Sequence, residues 1–544
     1  MRNILIIIVI ICFGAGGAAA MEGDTQASGI TKKHCQVDSM GGELIIALNN
    51  SPIHFNPALQ SGTLTGMVGT QLFAGLIRFD RQGNPQPYLA RKWSIAENGL
   101  SAEFELTEGA RFHDGVPITS EDVAFSIETV KAYHPFRSML SAVKAVETPT
   151  PQKVVVRLSK PHPALLWAMS PIVLPILPKH VYGDGREILT HPANIAPVGS
   201  GPFKLVKFDP EDRIILRRNT DYFIKGRPLL DQITFNIYQD PDEIQLALEQ
   251  GDVHMVSFFP GLDQQRQLAM QPHLTVTNDG FEAIGPMLWL GFNLDREPFN
   301  DPRVRKAFAY AIDKDFITRE IMSGKAVKMT GPIVPTNKFY TPEVEHYDLN
   351  IEKANELLEN AGYPRNQDGK RLSVIVDYPP DAGSLVVPLL KYIRHNLART
   401  IGVELKIRRC SNFAVWAHRI AEGEFQATLD VVFTWSDPVI GVHRTYDSRN
   451  IHKGRVWANT VKYRNTRVDR ILDLAASEPD PDRRRKYYAD FQKIVVDDLP
   501  ILWLSTMPYA MVYRKDLQGV ADSMWGAMSP MDNYFWRQEG KKGQ

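Results

Sequence analysis

Residues 104–126 constrain the fold of this chain more than any other stretch, because FELTEGARFHDGVPITSEDVAFS specifies three kinds of local structure in succession. Apolar side chains at Phe104 and Phe112 have the spacing of half-buried strand positions. Glycines on either side of Phe112 mark turns. Thr119 is predicted to begin a helix, with Asp122 three residues later in a capping box that has Asp in place of Glu. We therefore expect a strand, a turn and a helix start here.

His113 and Asp114 lie in the turn of this stretch and allow two interpretations. Adjacent residues of these types could form a catalytic or metal-binding pair. Two polar residues that enter a Gly-Val-Pro turn more often fix the turn by hydrogen bonds from side chain to backbone, and the pattern favours this second interpretation. The chain contains no Cys/His cluster with zinc spacing and no protease, esterase or nucleotide-binding motif. We therefore expect no metal site, no cofactor and no enzymatic activity.

The length and charge of the chain limit the classes of protein to which it can belong. At 544 residues it exceeds one ordinary core, so two or three domains are expected. A composition of 44% hydrophobic and 23% charged residues is typical of a soluble globular protein. Lys plus Arg equals Asp plus Glu, at 62 each, whereas proteins that bind nucleic acid or anionic membranes usually carry a basic excess. Small neutral solutes fit this balance better, and nucleic acid is not an expected partner.

The N-terminus has the pattern of a cleaved secretory signal over residues 1–20. Arg2 precedes an apolar run over residues 4–13, and the segment ends in three alanines at 18–20, an A-x-A pattern for signal peptidase. The apolar run is too short for a membrane-spanning helix, which needs about 20 residues. We expect a soluble exported protein, which is periplasmic if the cell has two membranes.

The three cysteines bear on lipid attachment and on cross-linking. Cys12 lies inside the apolar run and Cys35 follows Lys32-Lys33-His34, so neither resembles a lipobox and a lipid anchor is not expected. Signal cleavage would leave Cys35 and Cys410 in a compartment that permits disulfides. They could pair or remain separate thiols, since the sequence alone does not bring them within bonding distance.

Two further motifs follow the first in the chain. They are APVGSGPFKL at 196–205 and PFNDPRVRKAFAYAIDK at 298–314, whose Asp301 and Pro302 predict a helix start. Basic side chains on this helix are expected to be solvated. With the first stretch, these motifs resemble signatures of the family 5 bacterial extracellular solute-binding proteins, the dipeptide- and oligopeptide-binding components of ABC importers. The resemblance extends over nearly all of the mature chain.

This resemblance implies a mixed α/β, two-lobed periplasmic binding protein fold of type II with an extra subdomain. The implied division assigns residues 41–79, 196–282 and 500–544 to lobe I, 80–195 to the extra subdomain, and 283–499 to lobe II. The chain would cross between the lobes at a hinge held by residues 283–293 and 497–507.

The resemblance also implies a function. A member of this family captures a peptide or peptide-like solute between its lobes and delivers it to an ABC permease, most often as a monomer. Relatives also carry nickel complexes, haem, opines and oligosaccharides, so the solute stays open. A sensor on the same scaffold, which presents its ligand to a membrane receptor, is the competing class.

The sharpest binding candidate is the segment at 433–448, FTWSDPVIGVHRTYDS. Peptide-binding relatives place an Asp in this region to pair with the α-amino group of the ligand, and Asp437 is the matching acid. Many relatives carry two Asp residues and a short insert between the Trp and the Pro, whereas here Trp435-Ser436-Asp437-Pro438 is compact. Asp437 therefore either meets the ligand amine or only caps the helix that follows Pro438.

Aromatic, basic and amide side chains complete the set of candidate binding residues. Trp289, Trp416 and Trp435 could wall a pocket or belong to the core. Arg444 and Arg449 could bind a carboxylate through two parallel hydrogen bonds or be solvated at the surface. The resemblance also places Asn56 on a loop that family members bring to the cleft.

Overall fold

The computed structural model describes residues 41–379 and 385–537, which contain a mixture of strands and helices. The strands, in chain order, are β1 Glu43–Leu48, β2 Ile77–Phe79, β3 Pro85–Pro87, β4 Ala90–Ile95, β5 Ser101–Leu106, β6 Val143–Thr150, β7 Lys153–Leu158, β8 Phe203–Phe208, β9 Arg213–Arg218, β10 Gln232–Ile237, β11 Met255–Phe259, β12 Leu274–Thr277, β13 Pro286–Phe292, β14 Leu372–Tyr378, β15 Val403–Arg409, β16 Ala427–Phe433, β17 Ile501–Thr506, β18 Ala510–Arg514, β19 Leu517–Gln518 and β20 Phe535–Trp536.

The helices connect and cover these strands. The α-helices are α1 Thr63–Leu72, α2 Ser120–Tyr133, α3 Leu165–Ala168, α4 Lys179–Tyr182, α5 Pro241–Gln250, α6 Leu262–Ala269, α7 Pro302–Ala311, α8 Lys314–Phe316, α9 Ile351–Asn360, α10 Val386–Ile401, α11 Phe413–Glu422, α12 Pro438–Gly441, α13 His443–Tyr446, α14 Thr466–Ser477 and α15 Pro481–Asp498. Short 3-10 helices cover Arg137–Leu140, Ile188–Thr190, Pro192–Asn194, Ser448–Asn450 and Gly526–Met528, and Ile317–Ile321 forms a π-helix. Among the described residues, none of these helices combines the length and apolarity needed to span a bilayer.

A seven-stranded sheet forms the centre of lobe I, with the strand order β12-β18-β11-β1-β10-β9-β8. Strand β1 pairs in parallel with β10 and β11, and β18 lies antiparallel between β11 and β12. Alternate side chains of β1, such as Leu44 and Ile46, are fully buried, as the period of a strand requires. The sheet therefore gathers three separate parts of the chain into one lobe.

The second sheet has five strands in the order β15-β14-β16-β13-β17 and forms the centre of lobe II. Helices α7 and α10 supply buried side chains such as Phe308 and Leu397 to the same core as its strands. Asp301 caps α7 by accepting a hydrogen bond of 2.8 Å from the Arg303 backbone N–H, as predicted. One basic residue of this helix differs from the expectation, because Arg305 is buried and donates to the carbonyl oxygens of Phe299, Asp498 and Leu499.

The chain passes between the two sheets twice, and both passages are short. The first joins Thr277 of β12 to Pro286 of β13, and the second joins Thr506 of β17 to Ala510 of β18. The division inferred from the sequence returned the chain to lobe I at residue 500. Strand β17 instead lies in the second sheet, because it pairs antiparallel with β13 over most of its length. The return to lobe I therefore follows Thr506.

An aromatic cluster packs where the two passages meet the lobes. The Phe258 ring lies 5.1 Å from that of Phe281 in the first passage and 5.6 Å from that of Tyr509 in the second. Its ring also lies 6.3 Å from that of Phe433, at the end of β16. A side chain of lobe I thus holds both passages and the end of a lobe II strand together.

The extra subdomain contains a four-stranded antiparallel sheet, β4-β5-β7-β6, packed against α2. The Asp122 carboxylate accepts a hydrogen bond of 2.8 Å from the Thr119 backbone N–H, which confirms the predicted capping box. His113 Nδ1 accepts a hydrogen bond from the Gly199 N–H, and His113 Nε2 lies 3.1 Å from the Gly201 carbonyl oxygen. The histidine therefore joins the turn to the second motif, and within the turn Asp114 Oδ1 accepts a hydrogen bond of 3.1 Å from the Val116 N–H.

Helix α1 contains Gly66 and Gly69, which lower its intrinsic propensity. A Cβ on Gly69 would lie 2.7 Å from the carbonyl oxygen of Phe55, and a Cβ on Gly66 would lie 2.4 Å from Ile172 Cδ1. The two glycines are therefore needed for the close approach of the helix to the loop before it and to the extra subdomain.

Candidate functional site

The segment that follows β16 lies where lobe II meets the extra subdomain. Trp435 has a positive φ of 54°, an uncommon conformation for a residue with a side chain. Its backbone N–H donates to the carbonyl oxygen of Ile284 in the first passage. This turn directs α12 toward the 3-10 helix at Arg137–Leu140. The backbone of the segment is thus shaped by the hinge and presented to the facing lobe.

The ring of Phe136, in the extra subdomain, is the centre of the contact between the lobes. The Trp435 ring lies 5.0 Å away, edge to face, and the His134 ring lies 5.1 Å away. The guanidinium carbon of Arg444 lies 4.6 Å from the centroid of the same ring. Trp525 of lobe I packs on Trp435 with centroids 5.6 Å apart. We call these five residues the Phe136 cluster.

Three side-chain nitrogens of the Phe136 cluster are buried without a hydrogen-bond partner among the described residues. They are the indole Nε1 atoms of Trp435 and Trp525 and the imidazole Nε2 of His134. Each of the three side chains is at most 3% exposed. Leaving such a donor unpaired costs roughly 1–3 kcal/mol, so buried polar groups normally have partners. The cluster is therefore an unusual concentration of unmatched donors.

The tautomer of His134 follows from its surroundings. Its Nδ1 accepts a hydrogen bond of 2.9 Å from the Phe136 backbone N–H. Burial, together with the positive charge of Arg444, lowers the pKa of His134 to about 3, so the ring is neutral at physiological pH. Because Nδ1 is the acceptor, the single proton lies on Nε2, and this unmatched nitrogen is a donor.

Arg444 brings a positive charge into the same region. Its side chain is buried and donates from Nε to the Gly441 carbonyl oxygen at 3.0 Å and from Nη2 to the Phe433 carbonyl oxygen at 3.3 Å. Burial lowers the pKa of Arg444 to about 10, although the negative charge of Asp430 raises it. Within the described residues Arg444 forms no ion pair, and Nη1 makes no hydrogen bond. A buried guanidinium in this state is a candidate for binding an anionic group.

Asp437 lies beside the cluster, but its carboxylate is already engaged. One oxygen accepts a hydrogen bond of 3.1 Å from the Val439 N–H, which caps α12. Both oxygens accept hydrogen bonds of 2.7 Å from the guanidinium of Arg484. Burial opposes ionisation of Asp437, but the attraction and hydrogen bonds of Arg484 outweigh it, so the pKa of Asp437 is lowered. The helix-capping role of Asp437 is present in the structure, and a ligand amine would have to displace Arg484.

The other candidate residues lie elsewhere. Trp416 is buried in lobe II and donates to Thr428 Oγ1, and the side chain of Asn56 is buried and bonded to Asn194 and to the Ala58 N–H. Arg449 forms surface ion pairs with two aspartates. Trp289 lies partly buried on β13, opposite Asp430 of β16, whose carboxylate accepts a hydrogen bond from Trp457 Nε1.

The structure therefore brings Trp435 and Arg444 together, with Asp437 as a supporting neighbour. The sequence interpretation missed Phe136, His134 and Trp525, which are three of the five residues of the Phe136 cluster. None of these three belongs to a motif with a mechanism, and only the fold brings them to the segment after β16. Their long separation in the chain explains why no local signal identified them.

Neither a metal cluster nor a disulfide emerges from the described part of the chain. No group of three or more His, Cys, Asp or Glu side chains there could hold a metal ion. Cys410 is a buried free thiol that accepts a hydrogen bond from Arg419, while Cys35 lies outside the described residues. The predicted signal segment at 1–20 also lies outside them.

A surface concavity of about 760 Å³ lies on lobe II, lined by residues that include Asn293, Arg408 and Lys462. It occupies the end of β13 where Phe292 pairs with Ala427, whereas the passages between lobes join the other end at Pro286. This concavity is therefore remote from the Phe136 cluster.

Comparison with known proteins places the chain in a family. A model of the bacterial extracellular solute-binding proteins, family 5 Middle, matches residues 84–453. The oligopeptide-binding protein AppA of Bacillus subtilis (strain 168) is 25% identical over 522 residues, which cover 92% of this chain and 93% of AppA. The glutathione-binding protein GsiB of Salmonella typhimurium is 24% identical, and the aligned residues cover 88% of this chain and 91% of GsiB.

A solved structure of a similar protein has the same fold. The crystal structure of NikZ from Campylobacter jejuni in complex with Ni(L-His) aligns with a TM-score of 0.80 and 26% identity, covering 90% of this chain and 97% of NikZ. This match confirms the predicted two-lobed α/β fold. Because the family model spans more than half of the sequence, the chain belongs to the bacterial extracellular solute-binding proteins of family 5.

Proposed function

We propose that this protein is the solute-binding component of an ABC importer and captures a peptide or peptide-like solute at the Phe136 cluster. One observation carries the proposal. Three unmatched donors and a buried guanidinium, contributed by both lobes, surround a single phenylalanine ring. Their arrangement suits the capture of a molecule that supplies hydrogen-bond acceptors, and no reaction has to follow.

The energetics of the cluster link solute binding to lobe closure. When the lobes meet without a solute, each unmatched donor loses its hydrogen bonds to water at a cost of roughly 1–3 kcal/mol. A solute that accepts these hydrogen bonds removes the cost only in the closed form. It therefore has a higher affinity for the closed form and shifts the population toward it.

The peptide assignment is supported by the relatives. AppA is named for oligopeptides and GsiB for glutathione, which is itself a peptide. The faces of Trp435 and Phe136 can pack against a solute, while indole and imidazole N–H groups can bond to its oxygen atoms. Delivery to a permease pair follows from the family role, and the protein acts as a monomer.

Native mass spectrometry of the freshly purified protein tests the proposal. We expect a complex heavier than the mature chain by the mass of a small solute, which collisional activation releases as a peptide. After the solute is removed by unfolding and refolding, a peptide extract from the producing cells should restore the complex. A refolded protein that retains nothing from this extract would contradict the peptide assignment.

Export forms part of the same proposal. Residues 1–20 supply the signal pattern, so the mature chain should begin at or near Met21. N-terminal sequencing of the protein from the periplasmic fraction measures this start directly. A full-length chain retained in the membrane would overturn the export step.

A further inference from the structure

We propose that this cleft recognises its solute by an acidic group, bound at Arg444 and the three unmatched N–H groups, and does not require a free α-ammonium group. This inference rests on the proposed function and names the class of solute. It predicts that peptides with a blocked amino terminus bind as well as free ones. It also extends the solute class to carboxylic acids that have no amine.

The polar groups of the Phe136 cluster that remain available are all donors. The indole N–H groups of Trp435 and Trp525 and the His134 Nε2–H are buried and lack partners among the described residues. The hydrogen bonds of Arg444 use Nε and Nη2 and leave Nη1 for a solute. A carboxylate offers two oxygens with about four lone-pair sites and no donor. The chemistry of the cluster is therefore complementary to an acidic group and not to an ammonium group.

The charges around the cluster lead to the same conclusion. Arg444 is buried without an ion pair within the described residues, and its charge faces only the ring of Phe136 and the more distant charge of Asp430. A buried cation without a direct ion pair is costly, and a solute carboxylate would supply that pair. The ion pair then forms in a site from which closure excludes water, where it is strong.

Asp437, the acid expected to bind a ligand amine, is already engaged by other groups of the protein. Asp437 accepts two hydrogen bonds from Arg484 and one from the Val439 N–H, and its side chain is 1% exposed. Asp430, the other acid near Arg444, already accepts a hydrogen bond from Trp457. An amine that displaced Arg484 from Asp437 would leave a second buried guanidinium unpaired. Amine recognition at Asp437 is therefore disfavoured by the structure itself.

A peptide mixture in three chemical forms tests the inference. Di- to pentapeptides from an exhaustive casein digest are used untreated, N-acetylated, or esterified with methanol at their carboxyl groups. The protein is refolded free of solute and incubated with each mixture, and the retained peptides are quantified by mass spectrometry. We expect acetylation to change retention less than about threefold and esterification to reduce it at least about 30-fold. Loss of the acetylated form with retention of the esters would overturn the inference.

A fourth probe separates this inference from the peptide assignment. It is a panel of amine-free dicarboxylic and hydroxycarboxylic acids, offered to the same protein. If no peptide mixture is retained but an acid from the panel binds, the peptide assignment falls and the acid inference stands. If neither the peptides nor the acids bind, both fall. If only free-amine peptides bind, the acid inference alone falls.

Matched variants locate the effect at the cluster. Arg444→Gln should abolish the preference for free acids over esters, whereas Arg449→Gln, which removes a surface arginine just after the same segment, should leave it unchanged. Trp435→Phe keeps an aromatic ring but removes the indole N–H donor, so retention of the peptides should fall about tenfold. Trp416→Phe removes an indole N–H that donates within lobe II and serves as its control.

Thermal unfolding of each variant shows whether it folds. If Arg444→Gln does not fold, Arg444→Lys keeps the charge without the planar donor group and should weaken retention of free acids while retaining some preference over esters. The assignment to this cluster would be overturned if folded Arg444→Gln still preferred free acids over esters and folded Trp435→Phe retained as much peptide as wild type.

Discussion

Arg484 holds Asp437 through two parallel hydrogen bonds of 2.7 Å, although the residues lie on different helical segments of lobe II. Both side chains are buried, so neither charge has water as an alternative partner. The pair connects the start of α12 to α15 and fixes the segment that presents Trp435 and Arg444. Its effect on binding is therefore indirect and acts through the position of α12.

The first prediction concerns the stability that this pair provides. Asp437→Asn keeps a cap for α12 but leaves the Arg484 guanidinium buried and unpaired, so the free energy of unfolding should fall by about 3–5 kcal/mol. Urea denaturation measures the change. Asp480→Asn is the control, because Asp480 caps α15 through backbone N–H groups and Asn caps equally well. A stable Asp437→Asn variant that has lost only peptide binding would contradict this assignment.

The second prediction concerns the loss of folding stability at acid pH. Burial lowers the pKa of His134 and His443 to about 3 and that of His113 and His162 to about 4, below the 6.5 of an exposed histidine. The unfolded chain therefore binds more protons between pH 6.5 and about 4. Stability should be fully present above pH 6.5 and fall by about 1.4 kcal/mol per pH unit for each histidine as the pH drops. Denaturation midpoints between pH 7 and 5 measure this slope.

A single substitution identifies the contribution of one histidine. His162→Gln can still donate to the Met139 carbonyl oxygen but cannot be protonated, so the slope should decrease by up to about one quarter. His452→Gln, at an exposed histidine, is the matched control. An equal slope in wild type and His162→Gln would show that His162 is not among the groups responsible.

The third prediction concerns the second motif, at 196–205. A Cβ on Gly201 would lie 2.3 Å from the carbonyl oxygen of Gln71, a backbone atom that cannot rotate away. Gly201→Ala should therefore destabilise the protein by about 1–3 kcal/mol or more. Gly291→Ala is the control, because its Cβ would lie 3.3 Å from a Val461 methyl group that can shift. Similar melting temperatures for the two variants would contradict the explanation.

The fourth prediction concerns closure. Small-angle scattering should give a smaller radius of gyration when the solute is bound, since the solute favours the closed form. Phe136→Ala removes the ring that both lobes contact, so this variant should remain more open at the same solute concentration. Phe316→Ala, which removes a ring stacked on Tyr392 within lobe II, is the control. An unchanged radius in wild type at saturation would exclude a hinged clamp.

Local features of the fold were predictable from the sequence because they depend on neighbours in the chain. The capping box at Thr119 and Asp122 and the caps at Asp301 and Asp480 use residues within one helical turn. The burial of Arg305 was not predictable in this way. Its three acceptor carbonyls include two at the end of a helix nearly 200 residues away, and only the fold places them beside it.

The candidate site shows the same limit. The sequence identified Trp435 and Arg444 from their segment, but it left two roles open for Asp437. The structure supplies Arg484, a partner 47 residues further on, which engages the carboxylate. Phe136 and His134 come from the extra subdomain, some 300 residues before Trp435, and no periodicity or motif connects them. Long-range contacts of this kind set the binding site, and they are what a single sequence lacks.

The two passages between the lobes have an evolutionary consequence, because they run side by side. Thr277 pairs with Met511 in the first sheet, and Met287 pairs with Thr506 in the second. The chain therefore leaves lobe I and returns to it at the same place. Residues 286–506 are thus a continuous insertion whose two ends are adjacent, a geometry that tolerates exchange of whole units. Recombination could replace this lobe, with its half of the solute contacts, and leave the other lobe unaltered. A new specificity would then arise in one step, as a change of module.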